Sequence, residues 1–377
     1  MSIRSKMFST AKPIRFFPLL LLSRFLLVIG LLLLQSEAWA ETRIINGERS
    51  QSDDWPWMVA IISSGSSPSS GQFCGGTLVH PSWVLTAGHC ADGETIDTIE
   101  VVLDKHDLND DSQGELREIQ QIIRHPDYDY HPDNPNADLA LLQLDKPYTQ
   151  SAVLRVADNY SGSTKAGTSA TVIGWGLTNA KVKNSFSDVL RQTKLPIASN
   201  DICNQSYDGD VTENMLCAGY KDGGTDACVG DSGGPLVVET QRGWQQVGIV
   251  SWGEGCALPN YYGVYTRVPS FREFVAEQVC EFEDIPSTPQ LGVEINGHNA
   301  SASWNPVAGA KGYQFYYAPY SNPIGDVTFN NVQSFDVGND IQLSAHLMSG
   351  ASFYVAVRAY SGNCYSGYSA ITEVIIK

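Results

Sequence analysis

The sequence predicts an all-β protein built from two successive β-rich segments, on three observations. From Ile44 to Arg267 short apolar runs alternate with turns, as at Ile99–Leu103, Ile119–Ile123, Leu139–Leu144, Ala170–Ile173 and Val247–Ser251. Apolar residues at helical spacing are scarce until Ser270. Beyond Gln290 the chain holds Trp304, the run Tyr313-Gln314-Phe315-Tyr316-Tyr317, and alternation at Phe353, Val355, Val357 and Ala359, which fits a small sandwich.

Taken in chain order, the first element is a targeting segment. Basic residues Arg4, Lys6, Lys12 and Arg15 precede an apolar run from Phe16 to Leu34, broken by Ser23 and Arg24, and Ala38-Trp39-Ala40 follows. This reads as a secretory signal cut after Ala40. The alternative is a membrane anchor, but the uninterrupted part, Phe25 to Leu34, is short for a spanning helix. The expected mature chain is exported, extracellular or periplasmic, with no stable membrane insertion. In an oxidising compartment its eight cysteines read as bridges. No Cys-x-x-Cys pair or histidine cluster argues for a metal. Removing residues 1–40 takes away five basic residues and Glu37, leaving 19 Lys+Arg against 40 Asp+Glu, a formal charge of −21. Such a field argues against nucleic acid as a partner. It favours approach of cationic substrates, or serves solubility alone.

Three short contexts carry chemistry. Thr86-Ala87-Gly88-His89-Cys90 places a histidine at the end of an apolar run. Asn136-Ala137-Asp138-Leu139-Ala140-Leu141-Leu142 places an aspartate at the start of another. Gly230-Asp231-Ser232-Gly233-Gly234-Pro235 places a serine in a turn of glycines, four residues after Cys228. A serine hydroxyl is a poor nucleophile until a base takes its proton and donors hold the oxyanion it creates. With these residues, in the order His, Asp, Ser, the chain from Ile44 to about Phe282 resembles the chymotrypsin-like serine proteases, trypsin subgroup.

That resemblance implies two six-stranded antiparallel barrels with the site between them. Ser232 would be the nucleophile, His89 the general base and Asp138 its orienting carboxylate, with the N–H groups of Gly230 and Ser232 as oxyanion hole. A catalytically dead relative is the alternative, but no member of the triad is lost. The resemblance also pairs Cys74 with Cys90, Cys203 with Cys217, and Cys228 with Cys256. Residues 41–43 would be a short activation propeptide. Cleavage between Arg43 and Ile44 would free an ammonium to pair with Asp231, and self-activation fits a cut after arginine.

Asp226, six residues before Ser232, stands where the resemblance puts the base of the primary specificity pocket. Gly253 and Gly263 would leave that pocket open, and Ser251, Trp252 and Gly253 would pair with the substrate as an added strand. Ala227, where many relatives carry Ser, favours Arg over Lys, because a guanidinium pairs bidentately with Asp226 unaided. The expected partners are proteins or peptides with Arg or Lys before the scissile bond, and protein inhibitors. No cofactor is expected. Asp104 to Glu115, with Asp107, Asp110 and Asp111, reads as an acidic surface loop rather than a calcium site, since Lys105 stands where the pattern has a carboxylate. Asn-x-Ser sequons start at Asn159, Asn204 and Asn299.

Ser270 and Glu273 form a capping box for a late helix carrying Phe271, Phe274, Val275 and Gln278, expected to pack on the second barrel and end near Cys280. The expected protease segment is 44–282, followed by a linker over 283–290 with prolines. Residues 291–377 are similar to a fibronectin type III domain, with Leu347 and Phe353 at the spacing of that family's tyrosine corner, though Phe353 has no hydroxyl. Such a module either binds polysaccharide or protein, or acts as a spacer or stabilising cap. Cys280 and Cys364 either bridge the two segments or remain free or intermolecular thiols.

Overall fold

A computed structural model describes residues 44–128, 135–159, 161–281, 284–320 and 332–377. The expected signal peptide over 1–40 and the expected propeptide over 41–43 with Arg43 lie outside the described residues, as does Phe282. Among the described residues no helix is long and apolar enough to cross a membrane.

A short β1 (Glu48–Arg49) precedes the first barrel, which comprises β2 (Met58–Ser63), β3 (Gln72–His80), β4 (Trp83–Thr86), β5 (Ile99–Leu103), β6 (Glu115–Arg124) and β7 (Ala140–Leu144). These strands close antiparallel in the order β2-β3-β4-β7-β6-β5. Closure removes the unpaired edges that a flat sheet would expose. β8 (Arg155–Val156) leads to the second barrel of β9 (Ser169–Gly174), β10 (Arg191–Ala198), β11 (Met215–Ala218), β12 (Pro235–Thr240), β13 (Gly243–Trp252) and β14 (Gly263–Arg267). Here the order is β10-β11-β14-β13-β12-β9, and pairing of β9 with β10 closes the ring. The apolar runs read from the sequence fill the interiors, with Ile61, Leu85, Leu141 and Leu142 buried in the first barrel and Val172, Leu236 and Val247 in the second. Each such side chain contributes roughly 1.5–3 kcal/mol relative to exposure.

Register places the site. Thr86 of β4 pairs with Ala140 of β7, so His89 and Asp138 lie just past the same end of one ladder. Pro235 of β12 pairs with Ile249 of β13, so Ser232 and Ser251 stand in the corresponding place on the second barrel.

After β14, a 3-10 turn over Val268–Phe271 runs into helix α1 (Arg272–Val279), capped at Cys280. The expected capping box does not form. Phe271 is the N-cap with no side-chain bond, and Ser270 lies inside the turn, which Pro269 starts earlier. Glu273 instead reaches Arg358 of the C-terminal segment at 3.7 Å. Nor does the helix pack on the second barrel alone. Phe271 and Phe274 meet the His125 ring edge-on at 4.9 and 4.6 Å, just past β6 of the first barrel.

The C-terminal segment folds as two antiparallel sheets. One joins β15 (Leu291–Asn296), β16 (Asn299–Trp304) and β19 (Gln342–His346) in that order. The other joins β18 (Gln333–Gly338), β17 (Gly312–Pro319) and β20 (Ser352–Ser361), with β21 (Cys364–Tyr365) and β22 (Thr372–Ile375) both on β20. Trp304, Phe315, Val355 and Val357 fill the space between them. Leu347 and Phe353 line an apolar cavity of about 200 Å³ there.

This sandwich is fixed to the barrels. Cys280 and Cys364 form a disulfide, with Cα atoms 5.6 Å apart. The Asn363 amide donates to Val79 O at 2.7 Å and Leu154 O at 3.0 Å, and accepts from Val156 N at 2.7 Å. Arg155 pairs with Asp336 and lies 3.7 Å over the Tyr360 ring. Arg272 lies 3.7 Å over Tyr365, and buried Asp158 accepts from Ser334 and Gln314. Asn204 of the second sequon spends its amide on Val211 N and O, both at 2.9 Å.

Candidate active site

Asp138 is the fixed point of the site. It follows Ala137, a non-glycine residue held at φ +49, and is almost completely buried. Its Oδ1 accepts from His89 N at 2.8 Å, and its Oδ2 meets His89 Nδ1 at 2.8 Å and accepts from the Ser251 hydroxyl at 2.6 Å. Its carbonyl accepts from Thr266 Oγ1 at 2.6 Å. A carboxylate only accepts, so Nδ1 carries the proton and Nε2 is left with its lone pair. The imidazole rests beside the Cys74–Cys90 disulfide, Nε2 being 3.7 Å from Cys90 Sγ.

The serine loop is pressed onto the strand end that carries the histidine. Gly75 N donates to Ser232 O at 2.7 Å and Gly233 N to Val250 O at 2.9 Å. Gly233 has φ +77, and a Cβ there would lie 2.2 Å from Thr86 Oγ1 and 3.1 Å from Cys90 Sγ. Only glycine allows this approach. Among the described residues the Ser232 hydroxyl makes no hydrogen bond with His89, a contact that commonly tightens only once substrate is bound. The N–H groups of Gly230 and Ser232 have no acceptor among the described residues.

Beside Ser232 opens a cavity of about 170 Å³, lined among others by Asp226, Ala227, Trp252, Gly253 and Gly263. Asp226 Oδ2 accepts from Ala257 N at 3.0 Å, while Oδ1 and the Tyr265 hydroxyl are buried without partners. Burial pushes Asp226 up to about 7, against the pull of backbone donors Ala257 and Ala227 and with a further push from Asp231. A Cβ on Gly263 would lie 2.8 Å from Asp226 Oδ1 and fill the space before the carboxylate.

Asp231 turns the other way, into the protein. It accepts from Gly176 N at 2.7 Å and Cys228 N at 2.9 Å. Burial pushes it up to about 6 despite those two donors. Among the described residues no cation pairs with it. Ile44 is buried, and Ile45 bridges to Asp226. The predicted pairs Cys203–Cys217 and Cys228–Cys256 are disulfides as well.

The fold brings the residues expected from the sequence together: His89 on Asp138, and Ser232 beside the cavity that Asp226 lines, with Asp231 buried next to it. Sequence reasoning missed the hydroxyl of Ser251 on Asp138, having assigned that residue only a backbone role. It missed Thr266; Gln72, whose side-chain amide donates to Gly230 O at 2.9 Å; and the cradle of Gly174 and Gly176 around Asp231, where a Cβ on Gly174 would lie 2.1 Å from Asp231 Oδ1. Glycines flanking Trp175 were the one available signal for that cradle.

The family model described as Trypsin matches residues 44–275. Trypsin of Xenopus laevis is 35% identical over 256 residues, covering 67% of this chain and 98% of that protein. Mouse tryptase is 38% identical over 252 residues, covering 63% of this chain and 88% of its own. Rat vitamin K-dependent protein C is 38% identical over 258 residues, 66% of this chain, and the match spans about half of that relative, 54%. The chain therefore belongs to the trypsin family and is a serine endopeptidase.

Proposed function

We propose that this endopeptidase is exported as a zymogen and, once cut between Arg43 and Ile44, hydrolyses bonds after Arg and, more slowly, after Lys. The observation that carries the specificity is a buried, half-partnered Asp226 carboxylate in a cavity shared with Ser232. An uncompensated buried carboxylate is costly, and a cationic substrate side chain relieves it. Ala227 leaves that pairing to the carboxylate, which suits the bidentate guanidinium.

In this reading Ser232 Oγ attacks the scissile carbonyl carbon while His89 Nε2 takes its proton. The oxyanion is held by the free N–H groups of Gly230 and Ser232. Collapse breaks the C–N bond, and His89 returns the proton to the leaving amine. Water then attacks the acyl ester with His89 again as base, releasing the acid and restoring Ser232. Asp138 holds the ring and stabilises its charged form. The buried position of Ile44, and an Asp231 that has no cationic partner among the described residues, support activation by a new N-terminal ammonium. Lys105 supports a metal-free loop over 104–115, because its ammonium donates to Asp110 O at 2.5 Å and Gln113 O at 3.0 Å, the place a cation would take.

The strand order of the C-terminal sheets supports a fibronectin type III-like sandwich over 291–377. Its fixed docking supports a cap rather than a tethered binding module.

The test is a peptide library digested with processed protein and with Ser232→Ala. Cleavage after Arg above Lys, abolished in the variant, is expected. Cleavage indifferent to a cationic side chain would overturn the assignment of Asp226. An Arg43→Gln chain that is fully active without processing would overturn the activation scheme.

A further inference from the structure

We propose that Gln72 is a positioning residue for the oxyanion donors. The inference rests on the peptidase reading above. The loop from Cys228 to Ser232 is held by its carbonyls. Cys228 O accepts from Asp231 N, Val229 O from Leu177 N, Asp231 O from Gly234 N and Ser232 O from Gly75 N. These are backbone donors, which no side-chain exchange short of proline removes. Gly230 O differs, because it accepts from the side-chain amide of Gln72 at 2.9 Å. The same amide nitrogen donates to Cys74 O at 3.2 Å, so the side chain is tied at the root of the disulfide beside His89.

The location gives the bond its consequence. Gly230 and Asp231 lie between the two peptides whose N–H groups belong to Gly230 and Ser232. Torsions at both residues set how those two vectors are aimed relative to one another, and the Gly230–Asp231 peptide between them carries the Gly230 carbonyl. Gly230 has φ +93 and no Cβ, so sterics leave its carbonyl free to turn. Orientation must come from what grips its flanking peptides: Leu177 N at Val229 O on one side, and on the other the Asp231 N–Cys228 O bond together with Gln72, the one side-chain donor of the set. A Cβ at Gly230 would lie 2.9 Å from the Phe186 ring and 3.1 Å from Gly176 Cα, so a stiffer residue cannot replace the missing rigidity. Gln72 is half-buried in β3 and touches no reacting atom, so its effect passes through Gly230.

Two variants of processed full-length protein test this. Gln72→Met keeps length and removes the donor. Gln72→Glu keeps shape and sets a carboxylate oxygen against the Gly230 carbonyl. Measured are kcat and KM on an arginyl peptide, affinity for an arginyl boronate that forms a tetrahedral adduct on Ser232, and affinity for benzamidine, which needs only the Asp226 cavity. The expected result is a fall in kcat of about tenfold in Gln72→Met and more in Gln72→Glu, below the roughly 10²–10³ for outright loss of a donor. Boronate affinity falls in parallel while KM and benzamidine affinity hold. Wild-type kcat and boronate affinity in Gln72→Met would overturn the proposal. So would parallel loss of benzamidine binding and thermal stability, which would mark a purely structural side chain. Wild-type protein that binds benzamidine but neither cleaves nor takes the boronate would sink the peptidase reading itself.

Discussion

Three donors converge on the carboxylate of Asp138, and one of them, the Ser251 hydroxyl, belongs to the opposite barrel. Ser251→Ala should remove one of the donors that fix the Asp138 carboxylate, reducing kcat/KM on an arginyl peptide about tenfold at most. Wild-type kcat/KM in that variant would assign that hydroxyl no part in holding Asp138. Asp226 gives a test by titration. In the proposed specificity it is the carboxylate form that would bind a cation, and burial raises its pKa to about 7. Benzamidine affinity should therefore climb with pH, level off above about 7, and fall about tenfold per unit below it. Flat affinity from pH 5 to 8 would show that the carboxylate is already ionised there. His89, Asp138 and Ser232 were legible because each sits in a contiguous run of distinctive residues. Gln72 was not, since its partner lies 158 residues away, and nothing local marks it.

Strands and helix ends teach a different lesson. The core of β6 was read as Ile119–Ile123, yet the strand spans Glu115–Arg124. At its start the usual pattern inverts, with Leu116 exposed while Glu115 and Arg117 are half-buried, so apolar content does not mark that part of the strand. The helix cap failed for a related reason: Ser270 has the right neighbours, but Pro269 commits the chain to a tighter turn first. Ser270→Ala should then change stability by less than ~0.5 kcal/mol, whereas a working N-cap typically costs about 1 to remove. Chemical denaturation separates the two. At the end of β9, a Cβ on Gly176 would lie 2.5 Å from Asp231 Cγ and Oδ2. Gly176→Ala should cost about 1–3 kcal/mol by overpacking and dislodge Asp231. Wild-type stability and kcat in that variant would mean the cradle yields freely.

Across the whole molecule, the sandwich and the barrels should behave as one cooperative unit. A protein with Cys280→Ser and Cys364→Ser, and an inserted cleavage site within 284–290, should stay together on gel filtration after the cut. Separation of the two pieces would mean the disulfide alone joins them. Asn363→Ala should cost about 2–4 kcal/mol, because buried backbone groups at Val79, Leu154 and Val156 would lose their partner. The sequence disclosed two segments and the cysteine left over in each. It could not disclose the docking contacts, in which one asparagine at the tip of a hairpin joins Arg155 on Asp336, Arg272 over Tyr365 and the Asp158 partners. That asparagine also sets an order of events. The ribosome delivers residues 79 and 154 long before residue 363, so the hydrolytic half waits with bare amides until the tail emerges. A nascent chain halted between residue 267 and that hairpin carries every side chain of the proposed site and still lacks its keystone.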